Sequence, residues 1–254
     1  MIKKTTLFCL LFSCLFINAQ DKNNQEPKQV NNSWHFLVEP YLMFPNMNGS
    51  TQIGTTLPTV EVDANTEDIF SVLKMGGMLY LEAKKGDWAI TSDFIYMKLK
   101  KDITPNFLVQ SGELELKETL WEVAGLRRIS PMFEAGLGLR LVNVSTDLNL
   151  ALRNQDIHAD VSETWVDPIF IVRSNHIIKD DFLLNVRGDV GGFGIGSDLT
   201  WQIHVDAGYQ VSELFYVMLG YRYLGIDFET GNNQNYFAYD MDTFGPELRL
   251  GFNF

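Results

Sequence analysis

Cysteine is nearly absent from this chain: Cys9 and Cys14 are the only two, and both lie close to the N-terminus. If that segment is removed, no disulfide framework, thiolate nucleophile or cysteine metal site remains. Basic residues are also scarce, 20 Lys and Arg against 32 Asp and Glu. This balance argues against a nucleic-acid partner, because phosphate contacts need clustered Lys and Arg. Histidine is limited to four residues, His35, His158, His176 and His204. No apolar run is long enough for a spanning helix. The longest, Leu7 to Ile17, falls well short of the roughly 20 residues required.

Lys3 and Lys4 precede that run, and Asn18-Ala19-Gln20 follows it. This is the pattern of a secretory signal peptide over residues 1–19, with cleavage after Ala19. The segment holds two bases and no acid, so its loss takes the formal net charge from −12 to −14. Residues 20–33 are polar and without periodicity, which predicts a disordered periplasmic lead-in. From Trp34 no linker interrupts the chain, so residues 34–254 are expected to form one domain.

What the chain has in abundance is strict alternation. In 131–142, Phe133, Ala135, Leu137, Leu139 and Leu141 share one parity, while Glu134, Gly136, Gly138 and Arg140 share the other. The last residues alternate in the same way and end on Phe254. A strand apolar on one face, with charge or glycine on the other, suits a wall between lipid and a polar interior. A soluble barrel such as a lipocalin would reverse the two faces. Ten strands are expected, near 34–44, 75–84, 87–98, 113–126, 131–144, 164–175, 182–193, 199–210, 214–225 and 240–254. Short connections alternate with longer ones at 45–74, 99–112, 145–163, 194–198 and 226–239. Together these features predict an all-β, antiparallel, up-and-down transmembrane β-barrel in a Gram-negative outer membrane. Trp34, Trp88, Trp121, Phe133, Phe182, Tyr209, Phe215 and Phe254 are expected in an aromatic belt at the short-turn end, with Phe44, Tyr96, Trp201 and Tyr223 at the other. Trp165 shares the inward parity of Asp167 and is expected to cap the lumen at the outer mouth.

The inward parity collects Glu39, Glu82, Asp93, Glu118, Glu122, Glu134, Asp167, Asp189, Asp206 and Glu247. Facing them are Arg140, Arg173, Arg187, Arg222 and Arg249, with His204; Phe193 is assigned inward as well. Two readings are open. The charges can neutralise one another as a cross-braced core, or they can line a narrow watery path in which excess acid favours cations. Within loop 45–74, Thr51–Asp63 predicts a short hairpin and Asn65-Thr66-Glu67-Asp68 a helix start. Its apolar residues Ile69, Phe70, Val72 and Leu73 are expected to form a lid or plug at the mouth, or to pack outside against the loops.

Catalytic chemistry finds little support. The glycine-rich stretch 188–197 runs into another strand and not a helix, so it is no phosphate loop. Instead Gly188, Gly191 and Gly192 are expected to thin the wall, and Gly194 and Gly196 to make a tight turn. His158, flanked by Asp156 and Asp160, reads as solvated surface. His204 and Asp206 share a face, but no serine joins them at useful spacing. No catalytic residue, metal site or cofactor is expected.

Several segments resemble a widespread, functionally uncharacterised family of small Gram-negative outer-membrane barrels. They are Glu39-Pro40-Tyr41-Leu42, the run Glu82 to Trp88, Trp165-Val166-Asp167-Pro168, Gly220-Tyr221-Arg222 and Gly245-Pro246. The most specific is Arg187 to Gly194 running into Ser197-Asp198-Leu199-Thr200-Trp201-Gln202. The resemblance implies fold and location and supplies no substrate. The expected function is therefore a narrow passive pore for ions or small polar solutes, partly closed by loop 45–74. The alternative is a closed barrel with a structural, adhesin or receptor role through its outer loops. Expected partners are outer-membrane lipid, the barrel-assembly machinery through Phe254, and small polar solutes or cations.

Overall fold

A computed structural model describes residues 33–55, 58–103, 109–152, 156–178 and 181–254. The expected signal peptide and nearly all of the lead-in lie outside these residues. Twelve strands form one antiparallel sheet: β1 (Trp34–Met43), β2 (Asn46–Ile53), β3 (Val60–Ala64), β4 (Leu73–Lys85), β5 (Trp88–Ile103), β6 (Val109–Arg128), β7 (Glu134–Leu152), β8 (Asp156–Ile178), β9 (Phe182–Gly192), β10 (Leu199–Ser212), β11 (Phe215–Thr230) and β12 (Phe237–Asn253). Pairing runs from β1 through β4–β12 and returns to β1, where Leu37 faces Asn253 and Met43 faces Glu247. Those ten strands are a closed barrel of the kind that outer-membrane proteins build. Phe254 completes the closure by exchanging both backbone hydrogen bonds with Phe36, at 3.0 and 2.8 Å.

The remaining two strands extend the wall at the long-loop end. Phe44 and Pro45 break the first strand. Past the break, β2 continues beside β12 and turns back as β3. Helix α1 (Thr66–Val72) then leads into β4. Its start is fixed locally, because the Asn65 side chain accepts from the Asp68 backbone N–H and the Asp68 carboxylate accepts from that of Asn65.

The stretches expected as long loops are mostly strand. β6, β7 and β8 run for 20, 19 and 23 residues, about twice what a tilted strand needs to cross a bilayer. Their outward faces show where hydrocarbon would stop. On β5, Trp88, Ile90 and Phe94 are exposed, Tyr96 is half-buried, and Lys98 and Lys100 come next. Lys98 and Lys117 both reach Glu115 at 2.8 Å, and Lys100 reaches Glu113 at 2.7 Å. On the opposite wall, Trp201, Tyr223 and Phe244 stack with centroids 4.9 and 5.3 Å apart, and Asp227, Glu229 and Asp240 stand beyond them. Trp121 departs from its expected place in the short-turn belt. It stands midway up β6 opposite Phe94 and donates to Ser92 Oγ at 3.0 Å.

Candidate functional site in the barrel interior

The interior has two unlike halves. Towards the short turns it is ionic, and the side chains fall into three clusters. In the first, Arg140 is fully buried and donates to Glu122 Oε1 at 2.8 and 2.5 Å, to Asp189 Oδ1 at 2.6 Å and to Thr200 Oγ1 at 2.6 Å. Arg187 holds the other oxygens of both acids, Glu122 Oε2 at 2.5 Å and Asp189 Oδ2 at 3.0 Å. Two guanidiniums thus meet two carboxylates. In the second cluster, Arg173 donates to Glu134 at 2.8 and 2.5 Å, to Glu82 at 2.6 Å and to the Tyr80 hydroxyl at 2.8 Å, while Lys84 pairs with Glu134. Two cations again meet two acids.

The third cluster joins Glu39, Asp93, Asp206 and Glu247 with Arg222, Arg249 and His204. Arg222 stands 2.9 Å from Asp93 and 2.8 Å from Glu247, and Arg249 stands 2.9 Å from Glu247 and 3.1 Å from Glu39. Tyr41 donates to Asp93 at 2.7 Å, and Tyr216 donates to Glu39. The Arg249 guanidinium also lies 4.1 Å over the Tyr41 ring, a cation–π contact. Register explains Gly220, which faces Asp206 across β10 and β11. A Cβ there would collide with the Asp206 carboxylate.

Asp167 stands apart from the clusters and is fully buried. It accepts from the Ser197 backbone N–H at 2.6 Å and from the Ser197 hydroxyl at 2.8 Å, and Trp165 Nε1 donates to the same hydroxyl at 2.8 Å. The glycine-rich turn after β9 is what brings Ser197 here. Gly192, Phe193 and Gly194 all have positive φ, and a Cβ on Gly196 would meet Asp167 Oδ1 at 2.5 Å. Phe193, assigned inward from parity, is 60% exposed because the turn reverses the alternation. Glu118 is bonded by Tyr239 at 3.2 Å.

Towards the long loops the interior is apolar. Met47, Ile69, Met97, Leu120, Val142, Val144, Trp165, Leu224, Ile226, Phe228, Phe237, Tyr239 and Met241 form one buried cluster, drawn from seven strands and α1. Trp165 stacks on Phe228 with centroids 3.9 Å apart. The four expected lid residues divide. Ile69 enters this core, and Leu73 packs against its edge. Phe70 stacks on Phe44 at 5.6 Å, and Val72 is half-buried. The helix therefore acts as a piece of wall between β3 and β4, contributing one plug residue.

A cavity of about 250 Å³ lies below the core at the short-turn end. Glu39, Glu82, Asp93, Arg173, Arg187, His204, Asp206 and Arg249 line it, together with Tyr80 and Tyr216. The tyrosines and Lys84 were not singled out as site residues, although each shares the parity of an inward charged residue on its own strand. Of the apolar plug, the sequence singles out only Ile69 and Trp165.

No protein-family model matches the chain, and no curated protein does. Solved structures are similar at low identity. The outer-membrane protease OmpT of Escherichia coli is 9% identical over 90% of this chain and 99% of that one, with a TM-score of 0.49. Ail, the attachment invasion locus protein of Yersinia pestis, is 9% identical over 87% and 98%, with a TM-score of 0.39. A FadL homologue of Pseudomonas aeruginosa is 10% identical over 87% and 89%, with a TM-score of 0.37. One is a protease and one an attachment protein. The likeness reaches the barrel and stops short of any activity.

Proposed function

We propose that this is an integral protein of a Gram-negative outer membrane whose barrel is closed, and that it works through the surface it raises above the membrane in an adhesive, receptor or envelope-structural role. One observation carries this reading: a continuous apolar core crosses the lumen where a pore would have to run. Interiors packed in this way leave no room for water and no polar path for an ion. Lipid covers the outward apolar face, and the assembly machinery engages the chain through Phe254, which is exposed at the end of β12.

A narrow passive pore for ions or small polar solutes is the second reading, favoured by the ionic cavity at the short-turn end. It requires the core to move aside. Planar-bilayer recording distinguishes the two. Wild-type protein is expected to stay silent, as is a variant lacking residues 64–73, because that deletion removes only Ile69 from the cluster. Leu120→Ser, Trp165→Ser and Phe228→Ser combined are expected to wet the lumen and conduct. Steady openings from wild type would overturn the closed barrel.

A further inference from the structure

The third ionic cluster does not balance. Four carboxylates, Glu39, Asp93, Asp206 and Glu247, meet two guanidiniums, so two negative charges remain inside the barrel. The other two clusters are neutral. Hydrogen-bond geometry is poor at the same place, where Arg222 Nε and Glu247 Oε1 meet at 2.8 Å as an ion pair only. Among the described residues, the buried side-chain atoms without a hydrogen bond are His204 Nε2, Asp206 Oδ1, Glu247 Oε1, two nitrogens of Arg222, and Gln202 Oε1 two residues before His204. His204 Nε2 stands 2.8 Å from Asp206 Oδ1 and 3.0 Å from Glu247 Oε2, with His204 only 6% exposed. A neutral ring with its hydrogen on Nδ1 would aim a lone pair at two anions, and one with it on Nε2 would offer a single N–H to two acceptors and cancel no charge. A protonated ring has one N–H at that position for two acceptors, and would cancel only half of the excess charge.

We propose that His204, Asp206 and Glu247 hold a divalent transition-metal ion of the zinc class. Their ligand atoms lie within 4.8 Å of one another. Around tetrahedral zinc, with bonds of about 2.0–2.1 Å, ligand atoms stand about 3.3–3.4 Å apart. The His204–Asp206 and His204–Glu247 separations therefore need to open by about 0.3–0.6 Å on this basis, while the Asp206–Glu247 separation lies within 4.8 Å. One imidazole with two carboxylates favours zinc over calcium or magnesium, which prefer oxygen alone. A dication also matches the two uncompensated charges. The ion enters from the 250 Å³ cavity, which His204 and Asp206 line, and water there supplies the fourth ligand. Parity puts His204 and Asp206 on one face, but Glu247 lies far along the chain from both, so only the fold brings the three together. The inference holds whether or not the barrel conducts.

The test uses untagged barrel, refolded in detergent and stripped with chelator, and titrates Zn2+ against a chromophoric competitor. One saturable equivalent is expected. Loss of an outer-shell partner costs 10–100-fold in affinity, so removing a ligand by His204→Ala or Asp206→Asn is expected to cost at least about 100-fold. A variant with His35, His158 and His176 all changed to Ala is expected to bind as wild type does. Co2+-loaded wild type, which needs no variant to fold, is expected to show visible d–d bands of nitrogen and oxygen ligation. Absence of saturable binding by wild type at millimolar Zn2+ would overturn the proposal. So would binding that survives His204→Ala and vanishes in the triple-histidine variant.

Discussion

The two halves of the lumen are built from the same strands with the same inward parity, yet one is ionic and the other apolar. On β11 the inward sequence passes from Arg222 to Leu224, Ile226 and Phe228. On β7 it passes from Arg140 to Val142 and Val144, and on β5 from Asp93 to Met97. The outward face changes in the opposite sense, from Tyr223 to Asp227 and Glu229, and from Tyr96 to Lys98 and Lys100. Below the change each strand is apolar outside and charged inside, as lipid requires. Above it the same strand is charged outside and apolar inside, as in a barrel surrounded by water. The chain is in effect a membrane barrel continued upward as a soluble one.

The largest expected effect attacks the ionic half. Arg140→Met leaves Glu122 and Asp189 buried without their main cation and is expected to cost about 3–5 kcal/mol, read as a lower urea midpoint for loss of heat-modifiable gel migration. Arg187→Met should cost less, because its side chain is 13% exposed to the cavity and water can take its place. Equal losses at both positions would mean that the ionic half is as dry as the apolar one.

Next comes the apolar half. Ile69→Ala is expected to cost about 2–3 kcal/mol, the low end for a buried aliphatic truncation, because a short helix can settle into the space. A loss below about 1 kcal/mol, well under the roughly 2 kcal/mol at which such truncations begin, would show that Ile69 contributes nothing to the plug. Asn65→Ala, which removes the cap of α1, is expected to cost about 1 kcal/mol in the same assay. It should loosen the helix without opening the barrel to ions.

The smallest effect concerns the charged rim. Hydrogen bonds from Lys117 and Lys98 pull the Glu115 carboxyl down to about 2. A carboxylate depressed by folding stabilises fully above its unfolded value. That contribution fades as pH falls from about 4.5 towards 2. Wild type is therefore expected to unfold slightly later than Glu115→Gln at pH 6 and together with it at pH 2, the difference shrinking in salt. A gap that persists at pH 2 would mean that packing, and not charge, is what Glu115 supplies.

Much of the barrel was legible because alternation reports which face meets lipid. Ten strands and their inward faces follow from parity, their up-and-down order from the short connections, and the capped start of α1 from Asn65 and the acids after it. The plug was not legible for a physical reason. Past Lys98, Lys117 and Tyr223 the alternation persists with its sense reversed, so charged outward residues looked like loops. A search for period-two patterning of either sense would have extended β5, β6 and β11 and exposed Ile226 and Phe228 as core, whereas Leu120 and Leu224 already stood at inward positions of the expected strands. Cluster membership was also beyond reach. Parity places Arg140, Glu122 and Asp189 on the inside, but only the register of β6, β7, β9 and β10 decides that they touch.

The reversal on β5, β6 and β11 also fixes how deep the protein sits. Sinking by two residues would drag Lys98, Glu115 and Asp227 into acyl chains and push bare Leu137 and Leu219 out on the short-turn side, and rising by two would lift the stacked Trp201, Tyr223 and Phe244 into water. Neither displacement is tolerable, so in a bilayer of unsuitable thickness the lipid must deform around a barrel that holds its height.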